Sequence, residues 1–227
     1  MQRRKFTSAF VTVGGLWVLS ARAAGISEGD AALGIRAALE RGAVAAVGLL
    51  GRDGGFLNNP KVRIELPGYL REAAKMLKYT GQQKRVDDLV LAMNRAAEAA
   101  VPAAKTMLVN AVKSMSVEDG KQILTGGDNS ATQFFSNKTR APLSVQFLPV
   151  VTKATEKVSL ADKYNKVAGQ VASLGLVGKD EANIQSYITA KALDGLYLII
   201  GEEERKIRQD PIGTGSAILK KVFGSLR

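Results

Sequence analysis

The chain contains no cysteine and no histidine. Without cysteine there is no disulfide, no thiolate nucleophile, no iron–sulfur cluster and no zinc–thiolate site. Without histidine the Ser-His-Asp and Cys-His arrangements disappear, and so do imidazole ligation of metals and the usual proton shuttle near neutral pH. The remaining chemistry is narrow: carboxylate acid–base work, serine or threonine paired with lysine, and hard cations held by oxygen. So many closed routes weigh against an enzyme, and neither a cofactor nor a bound metal is expected.

A hydrophobic run long enough to anchor the chain across a bilayer is also missing from its start. Ala9 to Leu19 is apolar and uncharged, but too short to span. It follows the basic Arg3-Arg4-Lys5 and precedes Ala21-Arg22-Ala23, where small residues occupy both positions that a signal peptidase reads. That order predicts a signal peptide over residues 1–23, cleavage near Ala23, and a periplasmic destination. Arg3-Arg4-Lys5-Phe6 matches the core of a twin-arginine signal. The dilution of the apolar run by Thr12, Gly14 and Gly15, and the charge of Arg22, suit that route; an ordinary signal peptide with a basic start is the alternative. No cysteine follows the run to take a lipid.

Charge then sets the choice of partner. The whole chain carries a net +11; residues 1–23 hold four basic groups and no acid, which leaves 28 basic against 21 acidic residues, a net +7. An exported protein of this sign is drawn towards anionic lipid, anionic glycan or an acidic face of an envelope protein, and nucleic acid is not expected there.

Beyond the leader the apolar residues recur at helical spacing almost throughout. Ser27 with Asp30 opens a helix carrying Ile35, Leu39, Ala43, Val47 and Leu50, which Gly51 and Asp53-Gly54-Gly55 end. Val62 to Leu66 alternates apolar and charged residues and is expected to be a short extended piece or an edge strand. Helices are expected over Tyr69–Tyr79 and from about Lys84 to Met115, the latter broken by Pro102. Ser116 with Asp119 caps another. Asp128 is expected to cap a helix holding Phe134 and Phe135, Pro142 to open the next, and Pro149 to bend it. Asp162 to Leu174 and Glu181 to Arg208 follow, and Ser216 to Phe223 closes the chain. The expectation is all-α: one globular domain over 24–227, a bundle of about eight helices with one extended segment near 62–66.

Several strings have a further meaning when taken together. They are Gly55-Phe-Leu-Asn-Asn-Pro60, Leu89-Val-Leu-Ala-Met-Asn-Arg-Ala-Ala-Glu98, and Ile123-Leu-Thr-Gly-Gly-Asp128 with Ala131-Thr-Gln-Phe134. The last runs from Ala192-Leu-Asp-Gly-Leu196 through Glu202-Glu-Glu204 to Lys206-Ile-Arg-Gln-Asp-Pro211. They resemble the family of exported bacterial proteins known as domain of unknown function 4197, over about Gly25 to Gly224. The resemblance implies an exported helical domain and transfers no mechanism. Relatives often carry a lipoprotein cysteine, which this chain lacks.

The candidate site residues are polar groups inside apolar helices. Asp194 lies in the run Ala190 to Ile200, with Lys191 three residues earlier on roughly the same side. A carboxylate buried there needs a partner. Asn94, Arg95 and Glu98 form a similar set within Leu89 to Val101. Were both helices to face one cavity, Asn94, Arg95, Glu98, Lys191 and Asp194 would line it as a ligand-binding or acid–base cleft; a polar network tying two helices together is the plainer alternative. Asn58, Asn59 and Arg63 offer loop chemistry of the kind used in recognition, or simply a turn. Gly126-Gly127-Asp128 lacks the lysine of a phosphate loop and the repeated acids of a calcium loop, which leaves a helix start with a weak capacity for an anion. Glu202-Glu203-Glu204 splay around their helix and cannot converge on one ion; Glu202 with Lys206 and Glu204 with Arg208, each four apart, read as pairs on a solvated, salt-bridged face. Ile218 to Phe223 has an apolar face and two lysines, suited to a membrane surface or to docking on the parent domain.

Two functional readings follow. The first is a non-enzymatic binding or structural module of the envelope. The second is a carboxylate-dependent enzyme acting on cell-wall glycan, with Glu98 as first suspect and Asp194 as second.

Overall fold

A computed structural model describes residues 28–68, 79, 81, 83–156 and 183–210. The signal peptide expected over 1–23, Ser27, and the helices expected over Asp162–Leu174 and Ser216–Phe223 lie outside these residues, as does the one expected at Tyr69–Tyr79 apart from Tyr79 itself. The described residues form an all-α packed domain without a β-strand.

The helical stripes bury as their spacing predicts. Helix α1 (Glu28–Leu50) turns Ile35, Leu39, Ala43, Ala46, Val47 and Leu50 inward. Helix α2 (Gln83–Ala100) buries Val86, Leu89, Val90, Met93, Ala96 and Ala97. Pro102 does divide the long stretch: Val101–Ala103 is a single 3-10 turn, after which α3 (Ala104–Lys113) resumes. Ser116 and Asp119 close a full capping box at the start of α4 (Val117–Thr125), with Asp119 N–H donating to Ser116 Oγ at 3.0 Å and Ser116 N–H to Asp119 Oδ2 at 2.9 Å.

The expected pair of helices around Pro142 is instead one helix, α5 (Ser130–Thr155), which holds both Pro142 and Pro149. Each proline deprives the carbonyl four residues earlier, Lys138 or Val145, of its donor. Both prolines and both of those residues are exposed, so water can take the donor's place. The buried residues of α5 fall at strict four-residue intervals: Ala131, Phe135, Thr139, Leu143, Phe147, Val151 and Thr155. A four-residue step overshoots the helical turn by about 40°. The stripe therefore winds around the helix, and α5 meets four others, α6, α2, α3 and α4.

Helix α6 (Ile184–Gln209) is the central strut, flanked by α5, α1 and α2. Asn183 caps it, its Oδ1 accepting from the N–H groups of Gln185 and Ser186. Between Ile184 and Gly201 only Lys191, Asp194 and Leu198 are exposed.

The chain from Gly51 to Leu66 winds over this frame as a series of turns, with Phe56 fully buried beneath it. Gly54 sits at φ +76°, a region open to glycine. The segment expected to be extended at 62–66 is not a strand: Val62 belongs to a turn and 63–66 are irregular, and one side chain of α2, Asn94, bonds the main chain of Ile64, as described below.

Candidate functional site

Two polar clusters grow from α2 and α6, and residues Val62–Glu65 meet both. On the α2 side Asn94 is fully buried. Its Oδ1 accepts the Ile64 N–H at 2.8 Å, and its Nδ2 donates to the carbonyls of Ile64 at 2.9 Å and of Val90 at 2.8 Å. One turn further on, Glu98 Oε1 accepts the N–H groups of Phe56 and Leu57, each at 3.0 Å. Its Oε2 accepts from Arg95 Nη1 at 2.7 Å, and Arg95 also lies 3.1 Å from Asp53. The bond to Glu98 is the main reason that the Arg95 guanidinium holds its proton more firmly than usual. Asn94, Arg95 and Glu98 thus form a clamp on the backbone of the 53–64 loop.

On the α6 side Lys191 and Asp194 face away from that clamp. They line a groove of about 300 Å³ against Lys61, Arg63 and Glu65, with Tyr187 and Leu198 also in its walls. Asn94, Arg95 and Glu98 do not line it, so the five residues do not share one cleft. Asp194 is about half exposed, where its apolar neighbours had suggested burial. Its Oδ2 lies 3.7 Å from Lys191 Nζ, the pair that their spacing predicts. Its Oδ1 accepts a short hydrogen bond from Arg140 Nη2 of α5, a partner that the reading of the sequence missed. Nothing local in the sequence signals it, because that partner lies 54 residues away on another helix. The Arg140 guanidinium stands 5.7 Å from the centre of the Tyr197 ring, and Lys191 Nζ 5.8 Å from that of Tyr187. Tyr197 meets Thr139, oxygen to oxygen, at 2.8 Å; burial pushes the Tyr197 phenol pKa up against the opposing pull of that bond and of the Arg140 charge.

The remaining candidates are local. Asn59 is a turn residue: its carbonyl accepts from Val62 and Arg63, and its Oδ1 from the Lys61 N–H. Asn58 is exposed and packs on Gly54, where a Cβ would fall 2.4 Å from its Nδ2. Arg63 bonds Glu65 at 2.7 Å and the Leu57 carbonyl at 3.2 Å.

Asp128 is exposed and does not cap α5. The residue at that position is Asn129, whose side chain makes no capping bond. The cap comes from α6. Buried Glu204 accepts the N–H groups of Ala131 and Thr132, each at 2.9 Å, and the Thr132 hydroxyl at 2.8 Å. Arg208 holds Glu204 at 2.8 Å while bonding the Ile123 carbonyl and Ser130 Oγ. The expected Glu204–Arg208 pair forms, yet inside the protein and not on a solvated face. The pair expected between Glu202 and Lys206 is replaced by two others: Glu202 turns to Lys61, and Lys206 takes Glu203, three residues away. A cavity of about 510 Å³ beside this helix start is lined by Asp119, Asp128, Asn129 and Lys138. The amides of Ala131 and Thr132 are already taken by Glu204, so the anion expected at this helix start is a carboxylate of the chain's own.

Among the described residues, no three acids stand together in a way that could hold a metal, and no helix is long and apolar enough to cross a membrane.

Residues 25–224 match the family described as protein of unknown function, DUF4197. The chain belongs to that family. The DUF4197 match takes in α1 to α6, the clamp and the groove together. No curated protein and no solved structure matches the chain. The DUF4197 description assigns no activity, so the function has to be argued from the residues themselves.

Proposed function

We propose that this DUF4197 protein is exported by the leader at 1–23 and works in the bacterial envelope as a non-enzymatic binding module, with residues 24–227 forming one bundle of about eight helices. Its ligand is an anionic glycan, and the groove between Lys61–Glu65 and α6 is where it binds. The observation that carries this reading is how the buried carboxylates are employed. Glu98 gives one oxygen to two backbone amides and the other to Arg95; Glu204 gives both to the start of α5 and to Arg208. A general acid needs an oxygen to present to its substrate, and neither residue has one to spare. Asp194, the other acid weighed for catalysis, stands in the open between two cations. The groove brings three cations together, Lys61, Arg63 and Lys191, beside the acids Glu65 and Asp194, and Arg140 is ion-paired to Asp194.

The test is native mass spectrometry of the protein purified from the cell envelope, together with a cell-wall turnover assay on Glu98→Gln. The expected result is a chain beginning near Ala24 that carries an acidic glycan fragment, and no turnover by either form. An uncleaved chain found in the cytosol, or a hydrolytic activity lost in Glu98→Gln, would overturn the reading.

A further inference from the structure

The ion pairs at Asp194 carry more than the choice of groove. In the apolar half of α6 the exposed residues are Lys191, Asp194 and Leu198, spaced three and four apart on one face. A single carboxylate is shared there between two cations, one oxygen to Arg140 and the other to Lys191. Each cation also stands over a tyrosine ring, Tyr197 or Tyr187, which limits how far it can swing. A guanidinium fork beside an ammonium group is the donor set that recognises carboxylate and phosphate. Arg140, Lys191 and Asp194 are all between two-fifths and half exposed, and ion pairs so open to water add little to stability. A carboxylate held in this way is easily exchanged for another anion.

We infer that Arg140 and Lys191 form a seat for the acidic group of a sugar, and that Asp194 occupies this seat until the ligand displaces it. This deepens the envelope-binding reading and rests on it. The rest of the groove favours a sugar over a charged membrane. Its volume, about 300 Å³, is at the small end of ligand sites, the size of one or two sugar units and not of a flat surface. Its polar groups are of both signs. Lys61 and Arg63 donate, and Glu65 accepts, which suits hydroxyl groups that do both. Glu65 and Asp194, both in its walls, would repel a sheet of phosphates. Leu198, about two-fifths exposed, offers an apolar contact for the face of a sugar ring.

The test is calorimetric titration of the full chain with an oligogalacturonate, a hexose phosphate and a neutral gluco-oligosaccharide, and sedimentation with phosphatidylglycerol vesicles. Removing the internal competitor in Asp194→Asn is expected to tighten binding of an acidic sugar about tenfold, and Lys191→Ala or Arg140→Gln to weaken it at least as much. Whichever of the carboxylate and phosphate sugars responds identifies the acidic group; the neutral sugar is expected not to bind to any form. Thermal melts of the three variants check that each is folded. Equal or weaker binding by Asp194→Asn, unchanged binding by Lys191→Ala, or binding to vesicles alone overturns the inference. If a glycan carried from the envelope stays bound to Lys191→Ala, the seat is wrong and the broader reading stands. If no glycan is carried from the envelope and none binds on titration, both fall.

Discussion

Asn94 stands to Ile64 as a neighbouring strand would, accepting its N–H at 2.8 Å and donating to its carbonyl at 2.9 Å. One side chain of a helix thereby satisfies both main-chain groups of a buried residue in an irregular segment that belongs to no strand. Asn94→Ala would leave the two groups without partners, at a cost of about 2–5 kcal/mol. Asn94→Asp is expected to be no better, because its second oxygen would face the carbonyls of Ile64 and Val90. Urea unfolding checks this: both variants should lower the midpoint with little change in slope. A midpoint unchanged in Asn94→Ala would mean that water replaces the amide.

Glu204 and Arg208 should be strongly unequal when removed one at a time. Glu204→Ala strips the start of α5 of its acceptor and leaves Arg208 without its acid, for a loss of about 3–5 kcal/mol. Arg208→Ala leaves Glu204 with three donors, Ala131 N–H, Thr132 N–H and Thr132 Oγ1, and is expected to cost less. The double variant should be less harmful than the sum of the two, by about 0.5–3 kcal/mol. Strict additivity would show that the two side chains act separately.

Glycine to alanine should change sign between two helices. A Cβ at Gly195 would meet Phe56 Cε1 at 2.7 Å and Val62 Cβ at 3.2 Å, and Phe56 is fully buried with nowhere to turn. Overpacking of about 1–3 kcal/mol should outweigh the gain of about 1 kcal/mol in helix propensity, so Gly195→Ala destabilises. At Gly48 of α1 nothing lies within 4 Å. Gly48→Ala should therefore raise stability by up to about 1 kcal/mol. Melting temperatures measured side by side decide whether the close approach of the 56–62 loop to α6 is as tight as described.

The capping box of α4 predicts an acid-sensitive contribution. The backbone hydrogen bond from Ser116, followed by that from its hydroxyl, holds the Asp119 carboxyl below the ordinary aspartate range. A lowered folded-state value means that the contribution is complete above the unfolded value, about 3.9, and is lost as pH falls through the folded one. Stability followed from about pH 5 down to pH 2 should therefore drop less steeply in Asp119→Asn than in the wild type. Ser116→Ala should cost about 1 kcal/mol at neutral pH. Parallel pH profiles for wild type and Asp119→Asn would contradict the box.

How far the sequence could be read depended on the range of the interaction. Periodic stripes such as Ile35 to Leu50 and Ile184 to Ile200 were legible, because a helix places residues three and four apart on one face whatever surrounds it. The Ser116–Asp119 box and the break at Pro102 were legible for the same reason: each is complete within one turn. Lys191 with Asp194 was readable as a pair, although their exposure was not. Arg140 was missed because its partner lies 54 residues away on another helix. The merging of two expected helices into α5 depends on Pro142 and Pro149 both lying on its wet side, which their positions in the chain do not reveal.

From the order of its residues alone, then, come a helical domain, an N-terminus that reads as an export signal, and a chemistry without thiol or imidazole. These are local or compositional properties, and they hold before any two helices touch. Tertiary structure decided which acids are committed to backbone and which stand open. Asp128 at the start of α5 yields the capping role to Glu204, Asn94 takes the place of a strand, and Asp194 bridges Arg140 and Lys191 at the mouth of a groove. Each of these outcomes needs groups from distant parts of the chain within hydrogen-bond or ion-pair reach, and only packing brings them there.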